Sequence, residues 1–218
     1  MTPNKEDYLK CIYEISTLEE KITNKEIAAR MHVSPPAVTE MLKKLSSEGF
    51  ISKENQKGYL LTELGLQQVS DLYRKHRLIE VFLIKNLGYT PEEIHEEAEV
   101  LEHTVSDHFI EQLEKLLDYP LYCPHGGTIP KKGQLLNERY HTRLSQIQET
   151  GLYTLKRVHD EFALLQHLGQ LHLSIGDEIE LLGYNPYTQL YHLRIKEKEA
   201  QVNPFIAQQL YLEKQDLG

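Results

Sequence analysis

Two imidazoles and two carboxylates recur at helical spacing in one acidic stretch of the sequence. They are His95, Glu99, Glu102 and His103, at relative positions i, i+4, i+7 and i+8. On an α-helix, predicted here to be capped by Thr90 with Glu93 completing a capping box, these side chains form one stripe. It borders an apolar stripe formed by Ile94, Ala98, Leu101 and Val105. Imidazole and carboxylate groups that converge in this way suit a divalent metal ion.

The same region carries a large excess of negative charge. Residues 92–118 contain ten acidic residues and one lysine, a net charge of −9 that equals the net charge of the 218-residue chain. Self-repulsion of this size on a half-buried helix favours a bound cation. The alternative is an ordinary solvated acidic surface, which is common on helices.

Three further groups have the chemistry of metal ligands. His76 and Glu80 lie one turn apart on a predicted apolar helix face, where burial is costly unless they are paired or ligated. Cys123 and His125 form a short Cys-x-His chelating pair, although a buried free cysteine is an alternative. Asp160 follows a predicted strand and could reach the metal region, but it could equally be a solvated loop acid.

A winged helix-turn-helix is predicted for residues 1–62. The pattern consists of three helices and a two-stranded hairpin, at residues 4–17, 22–31, 35–45, 50–53 and 59–62. Ser34 caps the third helix, and Pro35 suits its first turn. This helix would enter the DNA major groove with its N-terminal residues leading. A winged helix used for protein contacts is the alternative.

The predicted DNA-facing residues are Ser34, Pro35, Pro36, Thr39, Glu40, Lys43, Lys44, Lys53 and Lys57. Thr39 could touch a base edge, while the two prolines pack on thymine methyl groups. The lysines would meet phosphates, which position the protein without reading the sequence. Glu40 would either accept a hydrogen bond from a cytosine amine or weaken binding by repelling phosphate.

The remaining chain divides into two predicted domains. Residues 63–140 form amphipathic helices that dimerise and hold metal, and a symmetric dimer would match two half-sites on DNA. One of these helices is predicted to be capped by Ser106 and to have as its core stripe Phe109, Ile110, Leu113, Leu116 and Leu117. Residues 141–218 form a linker and a small SH3-like barrel. Its predicted strands and single helix lie at residues 154–158, 178–182, 190–195, 209–212 and 162–168. The fold class is therefore mainly α with a small β domain.

Composition limits the possible functions. Hydrophobic residues make up 40% and charged residues 26%, which is ordinary for a soluble globular protein. We expect neither a signal peptide nor a membrane partner, because no apolar run approaches the roughly 20 residues that span a bilayer. Cys11 and Cys123 suggest no disulfide framework, so a reducing cytoplasm fits. Residues 1–62 are neutral, so the negative net charge does not exclude DNA binding there.

In their order and spacing these motifs resemble the diphtheria-toxin-repressor family of metal-dependent transcription regulators, most closely its manganese-responsive branch. The resemblance spans essentially the whole chain. It rests on residues 34–39, 76–80, 99–103, 123–126 and 176–179. It implies an SH3-like (FeoA-like) C-terminal domain and a homodimer bound to double-stranded, palindromic operator DNA. It also implies repression of metal-uptake genes.

The resemblance implies two metal sites per subunit. One would use Asp7, Glu99, Glu102 and His103, and the other Glu80, Cys123, His125 and Asp160. His76 and His95 match positions that bind metal in some members, and they stay unassigned. Iron-responsive relatives carry Met where Asp7 stands, and a hard carboxylate suits Mn²⁺ better. The softer Cys123 leaves Fe²⁺ or Zn²⁺ open at the other site.

One residue departs from the pattern of some manganese regulators. Lys10 stands where they place a second acid, which disfavours a close two-metal cluster at the first site. Three other functions compete: a metallohydrolase, a winged-helix regulator that senses an organic ligand, and a metal buffer. The stretch His95-Glu96-Glu97-Ala98-Glu99 lacks the His-Glu-x-x-His pattern, and no nucleophile stands out. We therefore expect a regulator rather than an enzyme.

Overall fold

The computed structural model describes residues 1–18, 21–91 and 93–215. The chain divides into two compact units. The first contains residues 1–76, 102–104 and 130–137, and the second contains the remainder. Within the described residues, every helix is too short or too polar to cross a membrane.

The first unit begins with three helices and a hairpin. These are α1 (Pro3–Leu18), α2 (Asn24–Arg30), α3 (Pro35–Ser47), β1 (Ile51–Glu54) and β2 (Gly58–Leu61). Thr23 and Glu26 form a reciprocal capping box on α2, and the Ser34 hydroxyl accepts from the backbone N–H of Ala37 at the start of α3. These caps accept hydrogen bonds from backbone N–H groups that have no partner within the first turn of the helix. The predicted winged helix-turn-helix is confirmed.

The long helix α4 (Glu63–Leu87) contributes to both units. In the first unit, Val69 and Tyr73 belong to the core that holds α1 and α3. In the second unit, Leu78 and Leu83 belong to a core shared with the next two helices. Every residue from 76 to 81 is buried, so polar side chains in the middle of α4 need partners within the protein.

Helix α5 (Ile94–Glu102) is shorter than predicted. The sequence pattern indicated a helix capped by Thr90 and extending to Val105, but the cap residues form a turn ahead of the helix instead. The Thr90 N–H donates to the Glu93 carboxylate at 2.9 Å, and the Glu93 N–H donates to the Thr90 carbonyl at 3.1 Å. His103 follows the helix in a turn. Glu92, one of the acids counted above, lies outside the described residues.

Helix α6 (Asp107–Leu116) is capped by Ser106, as predicted. Its core face holds Ile110, Leu113 and Leu117. Phe109 and Leu116 were predicted to face the core, but they are 45% and 64% exposed. Because these two residues are seven positions apart, they share another face of the helix, and that face is apolar and open.

The C-terminal part of the second unit is a five-stranded antiparallel sheet with strand order β6-β5-β4-β3-β7. The strands are β3 (Gly151–Val158), β4 (Glu178–Asn185), β5 (Leu190–Ile195), β6 (Lys198–Val202) and β7 (Leu210–Lys214). Helix α7 (Phe162–Gln170), a short helix α8 (Pro204–Ala207) and a 3-10 turn (Leu144–Gln146) complete it. Strand β6 was not predicted, because it is a polar edge strand with only Val202 buried. The small β domain is confirmed.

Candidate metal centres and nucleic-acid interface

Three predicted ligands meet in the first unit. Asp7, Glu102 and His103 each bring a donor atom to within 4.8 Å of the others, and we call this cluster the Asp7 site. Asp7 lies on α1, Glu102 ends α5, and His103 follows it. The Nε2 atom of His103 lies 2.9 Å from Oδ1 of Asp7 and 3.4 Å from Oε1 of Glu102.

Three further side chains contact the Asp7 site. Nζ of Lys10 lies 3.3 Å from Oε1 of Glu102. Nδ1 of His76 lies 2.5 Å from Oε2 of the same glutamate. Oε2 of Glu6 lies 2.7 Å from Nδ1 of His103. Sequence reasoning missed Glu6, because a contact across 97 positions leaves no signal in a single sequence.

The electrostatics of the Asp7 site favour a cation. Burial raises the pKa of Asp7, and the neighbouring Glu102 adds to that rise although His103 opposes it. Burial also raises the pKa of Glu102, but Lys10, His76 and His103 outweigh burial and lower it. The negative charge of Asp7 is therefore the one that its surroundings leave uncompensated. Two carboxylates and an imidazole nitrogen converge beside it, and this donor set fits Mn²⁺ or Fe²⁺.

Four predicted ligands and His95, which the sequence left unassigned, meet in the second unit. Glu80, Cys123 and His125 are buried with donor atoms within 4.8 Å of one another, and donor atoms of His95 and Asp160 lie equally close to Glu80. We call these five residues the Cys123 site. Nδ1 of His125 lies 3.0 Å from Oε1 of Glu80 and 3.5 Å from Oδ1 of Asp160. The same Oδ1 lies 2.9 Å from Nδ1 of His95.

A tight loop positions Cys123 and His125. The Gly126 N–H donates to the Cys123 carbonyl, and the His125 carbonyl accepts from the Val158 N–H at the end of β3. Gly126 has φ +79°, and a Cβ there would lie 1.9 Å from the carbonyl oxygen of Lys156. Only glycine fits this position. The loop is thereby held against the strand that leads to Asp160.

Burial and the neighbouring carboxylates together set the electrostatics of the Cys123 site. It raises the pKa of the Cys123 thiol, and the Glu80 carboxylate raises it further. Burial also lowers the pKa of His125, but Glu80 and Asp160 outweigh burial and raise that pKa well above its ordinary value. A metal ion would have to replace protons on both groups. Thiol, imidazole and carboxylate donors around one point fit Zn²⁺, Fe²⁺ or Mn²⁺.

The remaining predicted ligand is placed differently. Glu99 lies on α5 with its side chain half exposed, and its Oε1 is 3.6 Å from Nε2 of His95. It is not part of the three-residue Asp7 site. The sequence left two histidines unassigned to a site. In the structure His76 contacts Glu102 of the Asp7 site, and His95 contacts Asp160 of the Cys123 site.

The predicted DNA-facing residues lie on the exposed side of α3 and on the hairpin. Pro35, Pro36, Thr39, Lys43 and Lys44 are exposed, as are Ser34, Glu40, Lys53 and Lys57. The Thr39 hydroxyl donates to the Pro35 carbonyl at 3.0 Å and accepts from the Asn24 side chain at 2.7 Å. Nζ of Lys44 pairs with Glu40 at 2.9 Å. The Thr39 hydroxyl thus already has two hydrogen-bond partners within the protein.

Comparison with known families matches three consecutive segments of the chain. The N-terminal DNA binding domain of iron dependent repressors matches residues 1–59. The metal binding and dimerisation domain of the same repressors matches residues 62–131, and a FeoA domain matches residues 142–214. The three matches follow the order of the winged helix, the helices α4 to α6 and the β domain.

Individual solved structures and protein sequences agree with these matches. The structure of the manganese regulator SloR is 58% identical, covers 99% of this chain and 100% of that one, and superposes with a TM-score of 0.91. The structure of ScaR with bound Zn²⁺ is 62% identical and has a TM-score of 0.93. The match covers 97% of this chain and 99% of that one. The HTH-type transcriptional regulator MntR of Oceanobacillus iheyensis is 31% identical over 54% of this chain and 80% of its own length.

Proposed function

Because the chain belongs to the iron dependent repressor family of metal-dependent transcriptional repressors, we propose that Mn²⁺ activates it and that each subunit binds two divalent ions. Members of this family are transcriptional regulators and not enzymes. The matched domains indicate DNA and a second copy of the chain as partners. We further propose that the operator is palindromic and that it controls metal-uptake genes.

The preference for Mn²⁺ is supported by the donor atoms of the Asp7 site. Two carboxylates and one imidazole are hard ligands, without a thioether or thiolate. The relatives SloR and ScaR are described as a manganese regulator and a manganese-activated repressor. Lys10 already places a positive charge beside Glu102, so we assign one ion to this site. The Cys123 site takes the second ion and tolerates Zn²⁺ or Fe²⁺ because of its thiol.

The observation that carries the proposal is that Asp7 belongs to α1, while its partners Glu102 and His103 lie at and just after the end of α5, in the segment matched by the dimerisation domain. A bound cation would supply the positive charge that lets Asp7 and Glu102 stay close together. The Asp7 carboxylate then fastens α1 to residues 102–103. Ile12 of α1 packs in the same core as Val38 of α3, so the position of the reading helix depends on this attachment.

Two reading helices must be positioned together on a symmetric operator. The open apolar face of α6, with Phe109 and Leu116, is suited to pairing with a second copy of the chain. Fixing α1 in each subunit sets the separation of the two α3 helices on their half-sites. Coupling is reciprocal, so operator DNA should tighten metal binding by the same factor, on the order of 5–150-fold.

The test compares Asp7→Ala with Asp71→Ala, which changes an acid outside both sites. A duplex is first selected from a random library with wild-type protein in Mn²⁺, and its affinity is then measured for each variant at fixed salt. We expect Asp7→Ala to lose the Mn²⁺-dependent binding and Asp71→Ala to keep it. Wild-type affinity of Asp7→Ala in Mn²⁺ would contradict the proposal.

A further inference from the structure

We propose that Glu6 is a positioning residue that fixes the ring of His103 so that its Nε2 atom faces the metal ion of the Asp7 site. This inference rests on the proposed function, because it concerns how that site holds its ion. The His103 ring lies between two consecutive carboxylates of α1. Its Nδ1 is 2.7 Å from Oε2 of Glu6, and its Nε2 is 2.9 Å from Oδ1 of Asp7.

The two nitrogens of His103 have different surroundings. Nε2 faces both carboxylates of the Asp7 site, with Oε1 of Glu102 at 3.4 Å in addition to Asp7. Nδ1 faces Glu6 on the opposite edge of the ring. A neutral imidazole carries one N–H and one lone pair, and the partner of the N–H decides which nitrogen ligates metal. Glu6 keeps the proton on Nδ1 and leaves the Nε2 lone pair for the ion.

Glu6 orients the ligand and is not itself a ligand. Its carboxylate approaches the ring edge that faces away from Asp7 and Glu102, and it is not one of the three residues whose donor atoms converge. The Glu6 side chain is 22% exposed, whereas that of Asp7 is 45% exposed. The contact with Glu6 is therefore the better shielded of the two, and charge-assisted hydrogen bonds are strongest where water is excluded.

This arrangement gives consecutive residues of α1 different tasks. Asp7 supplies an oxygen to the ion, while Glu6 holds the imidazole that reaches the same ion from residue 103. A carboxylate behind a metal-bound histidine typically strengthens metal binding by about 10–100-fold. Removing Glu6 should weaken the Asp7 site by that factor without removing a donor atom.

The test uses protein labelled with ¹⁵N-histidine and loaded with ¹¹³Cd²⁺, in full-length wild type, Glu6→Leu and Glu6→Gln. We expect the wild-type spectrum to show coupling of ¹¹³Cd to Nε2 of His103, with the proton on Nδ1. Titration followed at the His103 signal should give an affinity about 10–100-fold lower in Glu6→Leu. Glu6→Gln should lose less, because its amide oxygen still accepts from Nδ1–H.

Glu14→Gln is the matched control, because this α1 acid contacts Arg30 and Tyr73; its Cd²⁺ affinity should be unchanged. Amide spectra of each variant establish that it is folded. Coupling to Nδ1 in wild type, or an unchanged affinity in Glu6→Leu, would overturn the role of Glu6 alone. If wild-type His103 shows no coupling to Cd²⁺ at all, the Asp7 site of the proposed function fails together with this inference.

Discussion

Nη2 of Arg77 lies 2.6 Å from Oε1 of Glu138, and both side chains are buried. Nη1 of Arg77 donates to the carbonyl of Thr128, whose own N–H donates to Oε2 of Glu138 at 2.8 Å. Arg77 stands three residues before Glu80 on α4, and Thr128 closes the loop that begins at Cys123. The ion pair thus joins the helix and the loop of the Cys123 site without contributing a ligand to it.

Glu138 should give the protein a pH-dependent stability. Burial raises its pKa, but Arg77 and Arg157 outweigh burial and hold the pKa below its usual value. A carboxyl of this kind stabilises the fold above its unfolded pKa of about 4.3 and loses that contribution as the pH falls through its folded pKa. We expect Glu138→Gln to lower the unfolding free energy by about 3–5 kcal/mol at pH 7.

Urea unfolding with chelator present, from pH 7 to pH 3, measures this contribution. The difference between wild type and Glu138→Gln should shrink as the pH falls below the ordinary glutamate pKa of about 4.3 and on through the lowered pKa of Glu138. Glu197→Gln, at an exposed turn, is the control and should match wild type at every pH. A difference between wild type and Glu138→Gln that stayed constant over this range would refute the assigned role of the carboxylate charge.

Gly127 should be essential for the Cys123 site. A Cβ at this position would lie 2.6 Å from Cζ of Arg77, so Gly127→Ala must displace the guanidinium or the loop. We expect the affinity of the Cys123 site for Cd²⁺ to fall by about 10–100-fold, read from the cadmium–thiolate absorption. Gly133→Ala is the control, because with its φ of +74° it strains the backbone in the same way as other glycine changes in turns, but a Cβ there meets open space and touches neither Arg77 nor the loop. Equal titrations of the two variants would show that Arg77 does not position the loop.

Lys10 should affect stability and metal affinity in opposite directions. Its ammonium compensates the buried carboxylate of Glu102, but it also opposes a second cation at the same place. In Lys10→Met we expect the metal-free protein to melt about 5–10 °C lower. We expect the same variant to bind Mn²⁺ roughly tenfold more tightly at the Asp7 site. Calorimetry of both forms gives the two quantities, and a change of both in the same direction would contradict this reading.

Glu40 should weaken DNA binding through its pair with Lys44. In Glu40→Gln, Lys44 becomes available to phosphate, and one negative charge leaves the reading surface. We expect tighter binding to the selected duplex. We also expect the plot of log affinity against log salt concentration to become steeper by about one unit of slope. Lys44→Gln should change the slope in the opposite direction. Loss of discrimination at one base pair, without a change in slope, would instead mean that Glu40 accepts from a cytosine amine.

Local signals in the sequence predicted most of the elements. The caps Ser34 and Ser106 are present as expected, because capping depends on residues within one helical turn. The predicted start of α5 was wrong because the local signal at Thr90 and Glu93 fits two structures. Thr90 and Glu93 can satisfy each other in a turn as well as in a helix, and the tertiary packing of Ile94 and Ala98 decides where the helix begins.

The residue types of both candidate sites were predictable, but their partners were not. His95 and Glu99 follow helical spacing, so periodicity suggested them as a pair, and their 3.6 Å separation matches that spacing. Contacts such as Glu6 with His103, or Arg77 with Glu138, join distant parts of the chain through the fold. Such contacts leave no periodic pattern, because periodicity reports only which residues share one face of a single helix or strand.

The most direct test of metal gating is operator binding by fluorescence anisotropy with a labelled duplex selected in Mn²⁺. Wild-type protein is titrated at fixed salt with chelator present, and again after Mn²⁺, Fe²⁺ or Zn²⁺ is added back. We expect weak binding in chelator and strong binding with Mn²⁺, with the difference lost in Asp7→Ala. Equal affinity of wild-type protein in chelator and in Mn²⁺ would contradict the account, because the reading helices would then need no metal to be positioned.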